Sequence, residues 1–414
     1  MRVLIITNTD HGGGRFNGIE LADQLRSVGH EVDVFLWEKI NNNGRCHRIA
    51  PFRWRELAKQ VCSKVEYLLG IQSLLHLYWG EILFRRAFWR ADVIHLHLVH
   101  ASPFSVLLLP LLTLFKPTVW TLHDPWALTG HCLYPFQCAR WKRGCGSCPD
   151  LKIPFAVRVD RTHLMWSIKR ICYRLSHCSF IVASPWMERM FGESRMNRHA
   201  RHYLVPFGLD LSRFEVVDKR AAKRSIGLRT DLTAIGFRNV HGPFKGFVDA
   251  KRVIASLVDG GYPISVVAVG GERGNLSELG ERVPVADLGW LSDEDAIVRA
   301  FAAMDLFLMP STAEAFGLMA VEAMACGTPV VCYDGTALPD VVQTPVGGIA
   351  VPYGDVKSLC KTTADLVLDS EKRERIAGEA RRLCEREYSD SLYIRRIEDA
   401  YRSEVSHRQS WWRR

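Results

Sequence analysis

The chain has 414 residues, 48% of them hydrophobic and 24% charged, with a formal net charge of +9. That length supports two or three domains with cores of their own, and the composition is that of a soluble globular protein. The longest apolar stretch, Phe104 to Phe115, is broken by Ser105, Pro110 and Thr113, is too short to cross a bilayer and reads as a buried helix.

The surplus charge belongs to the first half. Residues 1–180 hold 23 Lys and Arg against 13 Asp and Glu, whereas the remainder holds 31 against 32. Such a surplus suits nucleic acid, anionic lipid or a phosphorylated acceptor. Nucleic acid is the weakest of the three, because no helix-turn-helix, zinc-finger or RNA-binding signature accompanies the charge. Twelve cysteines without an export signal read as reduced thiols of a cytoplasmic chain.

Arg2 is followed at once by Val3-Leu4-Ile5-Ile6, a first strand rather than a leader. Next come Thr9-Asp10-His11-Gly12-Gly13-Gly14 and a helix over Gly18 to Val28. Gly13 and Gly14 let a backbone approach a ligand closely, and a helix N-terminus favours negative charge. A simple tight turn explains the glycines nearly as well. A second strand covers Glu31 to Leu36, and residues 40–90 look helical and basic. Further strands read at Ala91 to His97, Thr118 to Leu122 and Ser179 to Ala183. Short β-branched runs separated by helices predict a parallel, doubly wound α/β sheet.

His123 and Asp124 follow directly on the strand Thr118 to Leu122, so they belong to the carboxyl edge where open α/β sheets bind ligands. A capping Asp beside a structural His is the bland alternative. Cys132, Cys138, Cys145 and Cys148 follow, the last pair in Cys-x-x-Cys spacing. Four thiolates suffice for a structural zinc, but a disulfide pair or a reduced loop fits the wider upstream spacings equally. Trp126, Tyr134 and Trp141 beside them suit packing or a sugar face.

Near Phe207-Gly208-Leu209-Asp210 the pattern breaks, and a second α/β series begins with strands at Thr233 to Phe237, Ile264 to Val269, Val285 to Leu288, Leu306 to Met309 and Val330 to Cys332. The expected domains are therefore residues 1–206 and 207–388, with a charged helix over 389–405 and a basic aromatic tail, Trp411 to Arg414. Arg238 and Lys245 flank a Gly/Pro loop after the first of these strands, and two cations at a sheet mouth suit a diphosphate. Asp293-Glu294-Asp295 reads as a helix cap and first turn rather than a metal site. Met309 is followed by Pro310, which ends a strand, and by Thr312, a candidate helix cap. Glu314 and Glu322 then stand with seven residues between them. That spacing puts two helical carboxylates on roughly one face. Glu314 falls in the loop or first turn and Glu322 inside the helix. Glu322 lies among Ala320, Val321, Ala323, Met324 and Ala325, surroundings in which a carboxylate needs a partner.

The run from Pro310 to Val331 is similar to the Glu-x7-Glu signature of the retaining glycosyltransferases of family 4, which have the two-domain GT-B architecture. Phe207-Gly208-Leu209-Asp210 through Phe214 resembles the family's interdomain segment, with Phe207 where Asn is usual. Thr121 to Cys132 with the later cysteines resembles a subgroup of bacterial exopolysaccharide (colanic-acid-like) biosynthesis. The resemblance implies two Rossmann-like domains facing a central cleft, with the C-terminal helix crossing back to the first.

It also implies roles. Glu322 would hold the ribose hydroxyls and Glu314 the donor-sugar hydroxyls. Phe316, Gly317 and Leu318 would offer amides to the donor. Lys245, followed by Gly246, would hold the diphosphate, with Arg238 at a slightly longer spacing than is usual. Leu291 would lie by the base, His123 by the donor sugar, and Gly13 and Gly14 by the phosphates or acceptor. The implied reaction moves a hexose from a nucleoside-diphosphate sugar to a polyprenyl-diphosphate-linked glycan at the inner membrane face, with retention and without a metal. The competing readings are a GT-B enzyme with a soluble acceptor and a non-catalytic nucleotide-sugar-binding protein.

Overall fold

A computed structural model of the chain describes residues 1–11, 17–41, 44, 46–49, 53–271 and 276–412. The loop glycines Gly13 and Gly14, and the tail residues Arg413 and Arg414, lie outside the described residues. The chain divides into two compact units, residues 1–205 with 394–414, and residues 206–393.

The described strands of the first unit are β1 (Arg2–Thr9), β2 (Glu31–Glu38), β3 (Cys46–Arg48), β4 (Val93–His97), β5 (Thr118–Leu122), β6 (Cys178–Val182) and β7 (His202–Leu204). They form one sheet in the order β3-β2-β1-β4-β5-β6-β7, and every pairing is parallel. Every residue of β4, β5 and β6 is buried, as a parallel sheet covered on both faces requires. The strand order reverses between β1 and β4.

Two expectations for this unit are corrected. Residues 40–90 include the strand β3, whose three residues Cys-His-Arg carry no apolar pattern and pair only as an edge. The stretch Phe104 to Phe115 is not one buried helix. It is a 3-10 turn, Val106–Leu108, and a helix, Leu109–Phe115, whose outer face leaves Leu111, Leu114 and Phe115 exposed.

The helix Asp390–Trp412 is longer than expected, and from residue 394 onward it belongs to this unit. Polar side chains hold it there as much as Ile397 and Ala400 do. The Tyr401 hydroxyl lies 2.7 Å from His95 Nδ1. Glu404, 2% exposed, accepts from Arg201 and from the Tyr203 hydroxyl at 2.7 Å each.

The described strands of the second unit are β8 (Thr233–Arg238), β9 (Ile264–Val269), β10 (Val285–Gly289), β11 (Leu306–Met309), β12 (Val330–Tyr333) and β13 (Gly348–Val351). They pair in parallel in the order β10-β9-β8-β11-β12-β13, so the order reverses between β8 and β11. Ile235, Phe237, Val266, Leu308 and Tyr333 of the sheet pack against Val253, Ile254 and Leu257 of the helix Phe247–Asp259 in one buried cluster. Both units are Rossmann-like.

Candidate active site

In the second unit β8 and β11 are neighbours with Phe237 opposite Leu308, so the two strands end side by side at Arg238 and Met309. This is the carboxyl edge at a strand-order reversal, where a crevice opens between loops that depart in opposite directions. Three contacts pin the two loops together. Thr312 N donates to Phe244 O at 2.9 Å, and Thr312 Oγ1 donates to Pro243 O at 3.0 Å. Gly246, at φ +68°, lies so close to Pro310 that a Cβ there would stand 2.0 Å from the Pro310 carbonyl oxygen. Only glycine satisfies both the left-handed backbone and the close approach.

That clamp brings Lys245 and Glu314 together across 69 residues of sequence, with Nζ 2.6 Å from Oε1. The Lys245 side chain remains 29% exposed and that of Glu314 11%, so the pair lies at the mouth of the edge rather than inside the core. An ammonium has three donors, and only one is given to Glu314.

Thr312 does not cap the following helix, as its hydroxyl is taken by Pro243. The helix is Leu318–Ala325, with Gly317 as its N-cap in the left-handed region. Glu314 therefore precedes the helix, and the two carboxylates do not share a helical face. Glu322 is 7% exposed, one turn inside. Phe316 is 3% exposed and is held edge-on by Phe207, with ring centroids 5.2 Å apart, and by Tyr388 at 5.8 Å. The atypical Phe207 thus steadies the loop that carries Glu314.

Leu291 stands apart from this group, half-buried after β10 at the end of the sheet, beside an exposed Trp290. Asp293 caps the helix Glu294–Ala302 by accepting from Ala296 N at 2.9 Å, and Glu294 and Asp295 form its first turn.

One residue at this edge escapes a reading of the sequence. Asn239, directly after Arg238, is 0% exposed, and among the described residues neither its side-chain oxygen nor its nitrogen has a hydrogen-bond partner. Such a group is rare in a folded interior and marks a place where a ligand or water completes the bonding. A lone Asn in a loop reads as a turn, and no local pattern distinguishes it.

The first unit carries a histidine cluster at the carboxyl ends of β4 and β5. His97 Nδ1 lies 3.2 Å from His123 Nε2, and the His95 and His97 rings are 4.0 Å apart. His95 bridges the Tyr401 hydroxyl and Thr121 Oγ1, at 2.7 Å each. Burial first, then the neighbouring imidazoles, hold His95 and His123 well below the usual histidine range, so both are neutral near pH 7. One ring nitrogen of the 97–123 pair must donate and the other accept. The two tautomers are therefore linked.

Asp124 does cap: its Oδ1 accepts from Trp126 N at 2.9 Å while Oδ2 meets His100 Nε2 at 2.8 Å. His100 stacks on Trp126 at 5.1 Å. Lys169, fully buried, donates to the carbonyls of Trp126 and Thr129, and burial pushes its ammonium down to about 7.

Cys132, Cys138, Cys145 and Cys148 are all free thiols, and they line one small cavity. Cys145 Sγ accepts from Gly130 N at 3.2 Å. Burial raises the thiols of Cys132 and Cys145 to about 12 and about 11. Among the described residues, no group of three or more His, Cys, Asp or Glu is arranged to hold a metal ion.

A family model described as glycosyltransferase family 4 matches residues 12–213, and one described as glycosyl transferases group 1 matches residues 218–383. The chain is 26% identical over 249 residues to WcaC of Escherichia coli (strain K12), named as a colanic acid biosynthesis glycosyl transferase. That match covers 58% of this chain and 57% of the relative's length. A sucrose-phosphate synthase from Thermosynechococcus elongatus superposes with a TM-score of 0.69 at 18% identity, covering 98% of this chain and 99% of that one. Anabaena Alr3699/HepE, solved in complex with UDP and glucose, superposes with a TM-score of 0.67 at 17% identity, covering 97% and 100%. At such identities the two structures speak to the fold alone.

Proposed function

We propose, on the premise of the two matched glycosyltransferase family models, that the chain is a GT-B glycosyltransferase that moves a hexose from a nucleoside-diphosphate sugar to a polysaccharide or oligosaccharide acceptor, with retention of configuration. The observation that carries the reading is the Lys245–Glu314 contact of 2.6 Å at the strand-order reversal of the second unit.

Departure of a nucleoside diphosphate builds negative charge on phosphate and positive character on the sugar ring. In this reading the two remaining N–H donors of Lys245, with Arg238 and the amides that open the helix at Leu318, receive the phosphate charge. Glu314 accepts from donor-sugar hydroxyls and is oriented for it by Lys245. Glu322 accepts from the ribose. Asn239 supplies a buried donor and acceptor beside the phosphates, and Leu291 borders the base. His123, neutral and with its tautomer tied to His97, hydrogen-bonds a sugar hydroxyl. In this reading charge neutralisation falls to Lys245 and Arg238 rather than to a metal, as the family resemblance implies, and the acids at Asp293–Asp295 serve as a helix cap.

The basic first half suits a lipid-linked acceptor of the polyprenyl-diphosphate type, met at the inner membrane face, which is what the resemblance to the exopolysaccharide subgroup implies. No helix of the described residues is long and apolar enough to cross a membrane, so such contact would be peripheral. Incubation of the purified chain with radiolabelled UDP- and GDP-hexoses and a membrane extract tests this. Label passing into an organic-extractable product supports it. Label passing only into a soluble product assigns a soluble acceptor, and no transfer with any donor contradicts the reading.

A further inference from the structure

The first unit holds a second cavity, of about 290 Å³, at the opposite edge of its sheet from His123. Pro117, Cys178 and Arg201 line it, and they stand at the amino-terminal ends of β5, β6 and β7. A five-residue strand separates the two edges by about 16 Å. The cavity is therefore distinct from the histidine cluster and has no part in the proposed transfer.

Its walls are strongly basic. Arg170 and Arg174 come from the helix Thr162–Leu175, Arg195 and Arg201 from the segment before β7, and Arg408 from the C-terminal helix. Glu404 is the one carboxylate among the lining residues, and it is already engaged by Arg201 and Tyr203. Among the described residues, Arg170, Arg174 and Arg195 have no acidic partner. His177, in the same wall, is held below its usual range by burial first and then by Arg408, His407 and Arg201. The field in the cavity is net positive.

Two buried polar groups line the same space. Asn197 is 2% exposed and Tyr173 5%. Neither the Asn197 side-chain amide nor the Tyr173 hydroxyl has a hydrogen-bond partner among the described residues. Leaving such groups unbonded in an interior is costly, and a ligand's oxygens would recover that cost. Guanidinium forks match the oxygens of a phosphate group in pairs, and an amide and a hydroxyl add directional contacts that a bare charge patch lacks.

We propose that this arginine-lined cavity binds a phosphate-bearing ligand, either a soluble phosphate ester or the headgroup of an anionic phospholipid. The cavity's size is at the low end of small-molecule sites, so it takes a phosphate with little more than a sugar or glycerol attached.

Titration calorimetry on Lys245→Ala protein, in which the proposed donor-phosphate site is disabled, tests the proposal with inorganic pyrophosphate as probe. Binding is expected to weaken about tenfold or more when Arg174→Ala and Arg195→Ala are added. Both arginines are exposed, so the fold persists. Asn197→Leu provides an independent variant with the same expected direction. Co-sedimentation with phosphatidylglycerol vesicles, against phosphatidylcholine alone, distinguishes the sources. Retention on the anionic vesicles alone, lost in the arginine variants and without pyrophosphate binding, assigns the headgroup. Equal binding by the parent and the arginine variants overturns the proposal, as does failure of the parent to bind either probe. The arginine substitutions in an otherwise native chain leave nucleotide binding at Lys245 intact, so this site and the donor site fail separately.

Discussion

Lys245 and Glu314 are each other's partner at the mouth of the second sheet, so changing either alters both charge and placement. Glu314→Ala is expected to lower kcat about a hundredfold, since it removes both a sugar contact and the group that holds Lys245. Glu322→Ala is expected to raise the donor KM about tenfold with a smaller effect on kcat, the mark of lost uniform binding. Steady-state kinetics in the donor reads both, and wild-type values in both would remove the assignment. His95 and His123 give a pH prediction. Their folded-state pKa values lie below the ordinary 6.5, so the unfolded chain takes up the proton first as pH falls. The stabilisation they carry is whole above about pH 6.5 and is lost as pH drops toward their folded pKa values. The melting temperature of the chain should fall between about pH 7.5 and 5, and His95→Gln should flatten that slope while lowering stability at pH 7.5. The reach of the sequence is uneven at this scale. Glu314 and Glu322 are visible because an acidic residue among alanines demands an explanation. Lys245 is visible as a cation beside a glycine. Asn239 and the bond from His97 to His123 are invisible, because each depends on neighbours from other strands.

The loop between β8 and the helix Phe247–Asp259 is the element on which the donor site depends. Gly246→Ala would drive a Cβ to 2.0 Å from the Pro310 carbonyl oxygen at a left-handed backbone position. The loop must then lift away from β11, carrying Lys245 from Glu314. A loss of about 2–4 kcal/mol in stability and most of the activity is expected, read by denaturant unfolding and by transfer assay. Gly242→Ala, where a Cβ would meet nothing, is the matched control for crowding, although its φ of +152° keeps some strain. The long strands β1, β8 and β9 were legible because they are rich in apolar residues that are buried on both faces. The short edge strands β3 and β13 were not, since three or four residues held on one side carry no periodicity of their own. The helix start at Leu318 was also misplaced. Thr312 is a good cap by type, but its hydroxyl serves a loop 69 residues away.

At the scale of the molecule, both sheets reverse their strand order beside the first strand of their unit, and in each the reversal lies where the candidate residues gather. The C-terminal helix completes the first unit. Ending the chain at residue 393 would take Tyr401 from His95 and Glu404 from Arg201 and Tyr203. A fall in melting temperature of about 10 °C or more is expected, measured by calorimetry. The double-wound pattern was legible throughout from the alternation of strand and helix. The attachment of the final helix was legible only through the family resemblance, because its partners His95, Arg201 and Tyr203 lie about two to three hundred positions away and leave no local pattern. The central claim is that the carboxyl edge of β8 and β11 holds a nucleoside-diphosphate sugar. The most direct test is thermal stabilisation of the full chain by UDP, GDP, ADP and their sugar conjugates, set against Lys245→Ala and Glu322→Ala. The account predicts a shift with one nucleotide family, equivalent to about 2.7 kcal/mol at a hundred times the dissociation constant, that largely disappears in both variants. No shift with any nucleotide, or a shift that both variants keep, would contradict it.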